Sequence, residues 1–326
     1  MSYTIAGVLQ QARKGTPVSF QNLTMIPLHS DQPNPEPYLT MRTALEKGFV
    51  EIVEVSEGGH VPLLKVLNKS EHLVLLLDGE ELKGAKQNRI VNTSILLGPM
   101  RETLIPVSCT EAGRWRYNSR SFKDSGHIMP AMSRMSKNAR IHSSMERGRT
   151  FDADQGKIWD DVASYHAKLN THSSSRAMSD AFEQRAQDLE SFLKGLPLQP
   201  GQMGMVVLLN GKPIGGDLFL NAEAYATFHD KLVKSAAADA LTSPTLPPPS
   251  QEDALIEAHL LLHSLEKAEE TRFQPVGLGV DYRYRSQNSE GSALVHNDTL
   301  VHLNVYPTQM KKEPVPAARP TSTPVV

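Results

Sequence analysis

Leu73-Val-Leu-Leu-Leu-Asp-Gly-Glu-Glu-Leu-Lys-Gly-Ala-Lys-Gln-Asn-Arg-Ile-Val-Asn-Thr-Ser-Ile-Leu-Leu97 is the stretch on which the fold turns. Two runs of strand length, 73–77 and 89–97, bracket a charged insert punctuated by Gly79 and Gly84. Runs this short, rich in Leu, Ile and Val and bounded by turn formers, read as buried strands rather than helices. Similar runs at 23–28, 49–55, 63–67 and 103–108 surround them, so the first third reads as a β-sheet of sandwich or barrel-like form. Glu51, Glu54 and Glu57 punctuate the 49–55 run and suggest one wet face.

Beyond the sheet the pattern changes. From 114 to 149 apolar residues thin out, and Arg114, Arg116, Arg120, Lys123, Arg134, Lys137, Arg140, Arg147 and Arg149 are opposed only by Asp124 and Glu146. This segment reads as a long basic loop. Helical stripes follow: Ile158, Val162, Tyr165, Leu169, then Phe182, Ala186, Leu189, Leu193 after the Ser173-Ser174-Ser175 start. Residues 205–209 and 212–220 flank Asn210-Gly211 and read as a hairpin through a type I′ turn. A helix from Tyr225 to Leu241 and a proline-rich connector at 242–250 come next, then a helix at 252–269 and strands at 277–284 and 293–305. The proline-rich tail 307–326 reads as disordered. The expectation is one composite α+β domain over 1–306: a mostly antiparallel N-terminal sheet with inserted helices, and C-terminal strands that rejoin it.

With 34 Lys+Arg against 36 Asp+Glu, the net charge of -2 calls for neither nucleic acid nor an anionic membrane. One cysteine, Cys109, excludes an intrachain disulfide, and no apolar run approaches the roughly 20 residues of a membrane helix. With no signal-like N-terminus, the reading is of a soluble, cytoplasmic protein.

The insert at 78–89 carries the densest chemistry. It imitates a phosphate loop but places Ala85 where the lysine belongs, and a strand follows where a helix is needed. Asp78, Glu80 and Glu81 could serve as acid/base groups or hold a hard cation such as Mg²⁺, Lys83, Lys86 and Arg89 could meet phosphate, and Gln87 and Asn88 could orient it. A solvated hairpin loop explains the same charges. The second cluster, Ile105-Pro-Val-Ser-Cys-Thr-Glu-Ala-Gly-Arg-Trp115, offers Glu111 as an acid, Arg114 as an anion clamp and Trp115 as a stacking face. Cys109, with no histidine nearby, reads as a small buried hydrophobe rather than a nucleophile. His259 and His263 lack the glutamate of a His-Glu-x-x-His site, and His296 and His302 are too far apart in one strand to share an ion. If 89–97 and 103–108 pair as a hairpin through Gly98-Pro99, the two clusters meet in one cleft.

These two motifs, with Gly-Gly-Asp-Leu-Phe at 215–219, resemble the prokaryotic ARG and rhodanese-phosphatase-superfamily-associated protein domain family over most of residues 15–306. The name records gene association with ADP-ribosylglycohydrolases and phosphatases, so the resemblance implies a role around NAD-derived or ADP-ribose-derived metabolites. On this reading Glu80, Glu81 and Glu111 are candidate catalytic groups, while Lys86, Gln87, Asn88, Arg89, Arg114, Trp115 and Asp217 are candidate ligand contacts. Three functions compete: hydrolysis or phosphoester chemistry on a phosphorylated nucleotide or ADP-ribose-like metabolite, non-catalytic sensing of that ligand, and an interaction or nucleic-acid-binding module built on the 114–149 segment.

Overall fold

The computed structural model describes residues 3–56, 62–148 and 150–308. With 31% helix and 35% strand in several antiparallel sheets, the fold is α+β.

Strand Leu73–Leu76 is a wall between two cores. Leu73 and Leu75 face a large cluster shared with most of the helices, while Val74 and Leu76 face a second cluster inside a curled sheet. Alternation along a strand sends neighbouring side chains to opposite faces, so a wall with a core on each side must be apolar at every position. Ile95–Leu97 runs antiparallel to it and Tyr38–Thr40 runs parallel to it.

The curled sheet has six strands, in the order Phe122–Ile128, Glu80–Gly84, Arg89–Val91, Arg101–Cys109, Leu63–Asn68 and Val50–Glu54. Its outer strands bend toward each other and touch through a bridge between Val53 and Ser121, leaving a half-barrel with an open seam. The larger, nine-stranded sheet takes Leu23–Ser30 from the start of the chain, the hairpin Gly204–Leu209 and Lys212–Leu218 from the middle, and Thr299–Pro307 from the end. The C-terminal strands thus rejoin the sheet. Met205 and Val207 point to the helical core and Val206 and Leu208 to a third core, under helices Ile5–Gln11 and Gln251–His263. Asn210 and Gly211 have φ of 51° and 78°, the pair of positive values that a type I′ turn requires.

Several expectations are corrected. The basic segment is not a loop: it contains strand Phe122–Ile128 and helix Ala131–Glu146, whose inward face carries Arg134, Lys137, Asn138, Ile141 and Met145. These positions keep a helical period, but most are polar, so a reading by hydrophobicity passes over it. Arg149 lies outside the described residues. The run 89–97 breaks at Asn92-Thr93-Ser94, and Ile95–Leu97 leaves for a different partner, so no single hairpin forms through Gly98-Pro99. The contact between the two clusters comes instead from pairing of Arg89–Val91 with the end of Arg101–Cys109, which sets Arg89 opposite Cys109.

The helical stretch after Ser175 divides into Met178–Gln184 and Ala186–Gly195. The run 293–305 turns at Asn297-Asp298 (φ 48° and 55°), so His296 and His302 sit on two strands. The late helix ends at His263, and Glu269–Phe273 is an additional edge strand. Of the tail expected over 307–326, residues 309–326 lie outside the described residues.

Candidate functional site

The hairpin from Glu80–Gly84 to Arg89–Val91 turns on Gly84 and Ala85, both at positive φ (140° and 40°). Asn88 caps this turn by accepting from Gly84 N at 3.2 Å. The segment after Cys109 folds back onto it. Gln87 Nε2 donates to Glu111 O at 2.8 Å, and Asn88 N donates to Glu111 Oε2 at 3.0 Å. Arg114 grips both Glu111 oxygens, at 2.8 and 2.6 Å, and also donates to Ala85 O at 2.6 Å. Burial would lift the Glu111 carboxyl, but Arg114 and the Asn88 amide hold it below its ordinary range. Glu111 and Arg114 therefore form a fixed clasp.

Above the clasp stand two aromatics, Trp115 at 50% and Tyr117 at 48% exposure. Lys86 Nζ lies 5.3 Å from the Trp115 ring and 5.1 Å from the Tyr117 ring, and Arg89 Cζ is 5.9 Å from Trp115. Arg89 is fully buried, with Nη1 donating to Gln87 Oε1 at 2.9 Å and to Cys109 Sγ at 2.8 Å. Burial pushes the Cys109 thiol up, and Arg89 only partly offsets this, so the thiolate is disfavoured. Thus Lys86, Gln87, Asn88, Arg89, Cys109, Glu111, Arg114 and Trp115 gather at one corner, as the sequence anticipates.

The remaining carboxylates lie elsewhere. Glu80 is buried against Lys231 Nζ at 2.5 Å, and Lys231 also holds Asp124 at 2.7 Å. Asp124 in turn accepts from Arg42 Nε at 2.9 Å and lines a 520 Å³ cavity at the open seam, with Phe122, Lys123, Glu46 and Val50. Burial raises the Glu80 carboxyl despite Lys231. Glu81 is also buried, and accepts from Thr110 Oγ1 at 2.8 Å through one oxygen. Burial pushes it up to about 7, the range in which a carboxyl can both give and take a proton near neutrality.

Asp217 belongs to a third group, sealed between the sheets. Arg134 grips it at 3.1 and 2.9 Å and His302 Nε2 lies at 3.0 Å, while Ser94 Oγ meets His302 Nδ1 at 2.9 Å. Asp78 completes the group, paired with Lys137 and accepting from Asn138 at 2.9 Å. Burial would raise Asp217, but Arg134 and His302 hold it far below the ordinary carboxylate range. Burial also pushes Lys137 down to about 8.

Glu54, too, is unforeseen as a site residue. It occupies the buried parity of its strand with Val50 and Ile52, so it faces inward rather than toward a wet face. A carboxylate at a core-facing position of an alternating strand is the signal that marks it. Tyr117 is likewise unforeseen as a site residue. Among the described residues, no three or more His, Cys, Asp or Glu side chains gather to hold a metal ion, and no helix is long and apolar enough to cross a membrane.

The fold and this corner define an α+β protein in which a half-barrel presents aromatic and basic side chains over a buried arginine. The chain belongs to the ARPP-1 family: the model of the ARG and Rhodanese-Phosphatase-superfamily-associated Protein domain matches residues 11–306. No curated protein and no solved structure matches it.

Proposed function

We propose that the protein binds a phosphorylated nucleotide or an ADP-ribose-related metabolite at the corner formed by Lys86, Arg89 and Trp115. The observation that carries this reading is the pair of half-exposed aromatics bracketing Lys86 above Arg89. Trp115 and Tyr117 offer stacking faces for a base, Lys86 a cation for phosphate, and Arg89 a positive floor. The name of the family, with its reference to ARG and phosphatase-associated proteins, is consistent with such a ligand.

If turnover follows binding, the reaction is hydrolysis or phosphoester chemistry, with Glu81, on the strand paired with Arg89–Val91, as the acid/base candidate. A non-catalytic sensor is the second reading. It is favoured by the clasp, because Glu111 and Glu80 are both committed to cations. The nucleic-acid reading is weakened, since Arg134 and Lys137 of its basic segment are spent in buried ion pairs.

Thermal-shift titrations with ADP-ribose, NAD and AMP, with and without Mg²⁺, test the proposal. A ligand at 100 times its Kd stabilises by about 2.7 kcal/mol, which for a chain of this size is about 4 °C. Trp115→Ala and Lys86→Ala are expected to remove that shift. Absence of a shift with every ligand, or a shift that both variants retain, refutes it.

A further inference from the structure

At the floor of the corner, two opposite charges are buried side by side without touching. Glu54 and Arg89 side chains are 3% and 0% exposed, yet Arg89 Nη2 stands 3.8 Å from Glu54 Oε1, too far for a hydrogen bond. Glu54 Oε1 accepts a long bond from Lys86 N, at 3.4 Å. Among the described residues, Glu54 Oε2, Arg89 Nε and Arg89 Nη2 find no hydrogen-bond partner. Folded proteins rarely leave a buried acceptor and two buried donors unspent at adjacent positions.

We infer that Glu54 and Arg89 together recognise a ribose hydroxyl of the ligand, an inference that rests on the nucleotide-like ligand proposed above. A phosphate oxygen can only accept, so it would suit Arg89 but be repelled by Glu54. A hydroxyl suits both: its O–H donates to Glu54 Oε2 while its oxygen accepts from the free edge of the guanidinium. In a nucleotide the ribose hydroxyls lie between base and phosphate, so a base on Trp115 and a phosphate at Lys86 would leave the sugar over this pair. Glu54 thereby becomes a specificity-determining residue, selecting a ribosyl ligand over its deoxy counterpart and over inorganic phosphate.

The experiment compares affinities within two pairs: AMP against 2′-deoxy-AMP, and ribose 5-phosphate against 2-deoxyribose 5-phosphate, each by calorimetry with wild-type protein. A site that hydrogen-bonds a hydroxyl rejects the analogue lacking it, so at least one pair is expected to differ by about tenfold or more. Glu54→Gln, which keeps shape and removes the charge, is expected to shrink that ratio severalfold while pyrophosphate binding is retained or strengthened. The wild-type comparison stands even if the variant does not fold. Equal affinities within both pairs, with Trp115→Ala still weakening all four ligands, overturn the role of Glu54 and leave the proposed function intact. A preference that Glu54→Gln retains unchanged also overturns it. If none of the four ligands binds wild-type protein, the underlying reading falls and this inference with it.

Discussion

Replacing Glu81 by glutamine should change how stability depends on pH rather than simply lower it. In the folded protein the Glu81 carboxyl is pushed from its ordinary 4.5 up to about 7 by burial. Between those values the folded state holds a proton that the unfolded chain has released. Stability therefore falls as pH rises through this window, the contribution being fully present below 4.5 and lost above about 7. A displacement of this size corresponds to about 3 kcal/mol. Glutamine cannot ionise. Its amide places a donor where, among the described residues, Glu81 Oε2 has no hydrogen-bond partner, a cost of about 1–3 kcal/mol that does not vary with pH.

Urea unfolding of wild type and Glu81→Gln, followed by far-ultraviolet circular dichroism from pH 4.5 to 8, separates these two effects. The constant cost cancels in the slope, so the stability of the variant relative to wild type should improve by about 3 kcal/mol across the range. A difference flat to within about 0.5 kcal/mol would show that Glu81 titrates as an ordinary carboxyl and would remove it as the acid/base candidate. Asp239, buried and likewise pushed up to about 7, provides a parallel case in Asp239→Asn, remote from the proposed site.

Lys231→Met strands Glu80 in the interior and should cost about 3–5 kcal/mol, and adding Glu80→Gln should recover part of it, as urea unfolding of the single and double variants would measure. Cys109 in the folded protein should react with a disulfide reagent at pH 8 at least about 100-fold more slowly than in the unfolded chain, because its thiol is buried and its pKa raised; rapid labelling of folded protein would contradict the buried assignment. At Gly204 a Cβ would meet Asp217 O at 2.3 Å and Leu218 Cα at 2.9 Å, backbone atoms of the paired strand that cannot swing aside. Gly204→Ala should therefore lower the melting temperature by about 2–4 °C in a scanning calorimeter.

The apolar walls were legible because their chemistry is repetitive: residues 205–209 are apolar on both faces, and Asn210-Gly211 names its own turn. The corner was legible in part, since Lys86 through Arg89 and Glu111 through Trp115 lie in two short polar segments at strand ends. Arg134 and Lys137 were misread because hydrophobicity marks only faces that bury carbon, and their helix turns a charged face inward. Asp217 sits apart from the corner, which its sequence neighbours do not reveal because its partners, Arg134 and His302, are 83 and 85 residues away. Glu54 was hidden by the reverse error, a charge taken as a sign of water where strand parity put it inside.

The interleaving of the large sheet also governs how the chain must be made. Its first long strand, Leu23–Ser30, waits for Gly204–Leu209 before it gains a neighbour on that side, and Lys212–Leu218 then waits for Thr299–Pro307. Translation at about 5–20 residues per second keeps those edges open for many seconds. During that interval Asp78 and Asp217 lack His302 and Asn304, the partners supplied by the last strand. Contacts this distant in sequence make for slow closure. The unpaired strands of the nascent chain therefore stay exposed until Thr299–Pro307 leaves the ribosome.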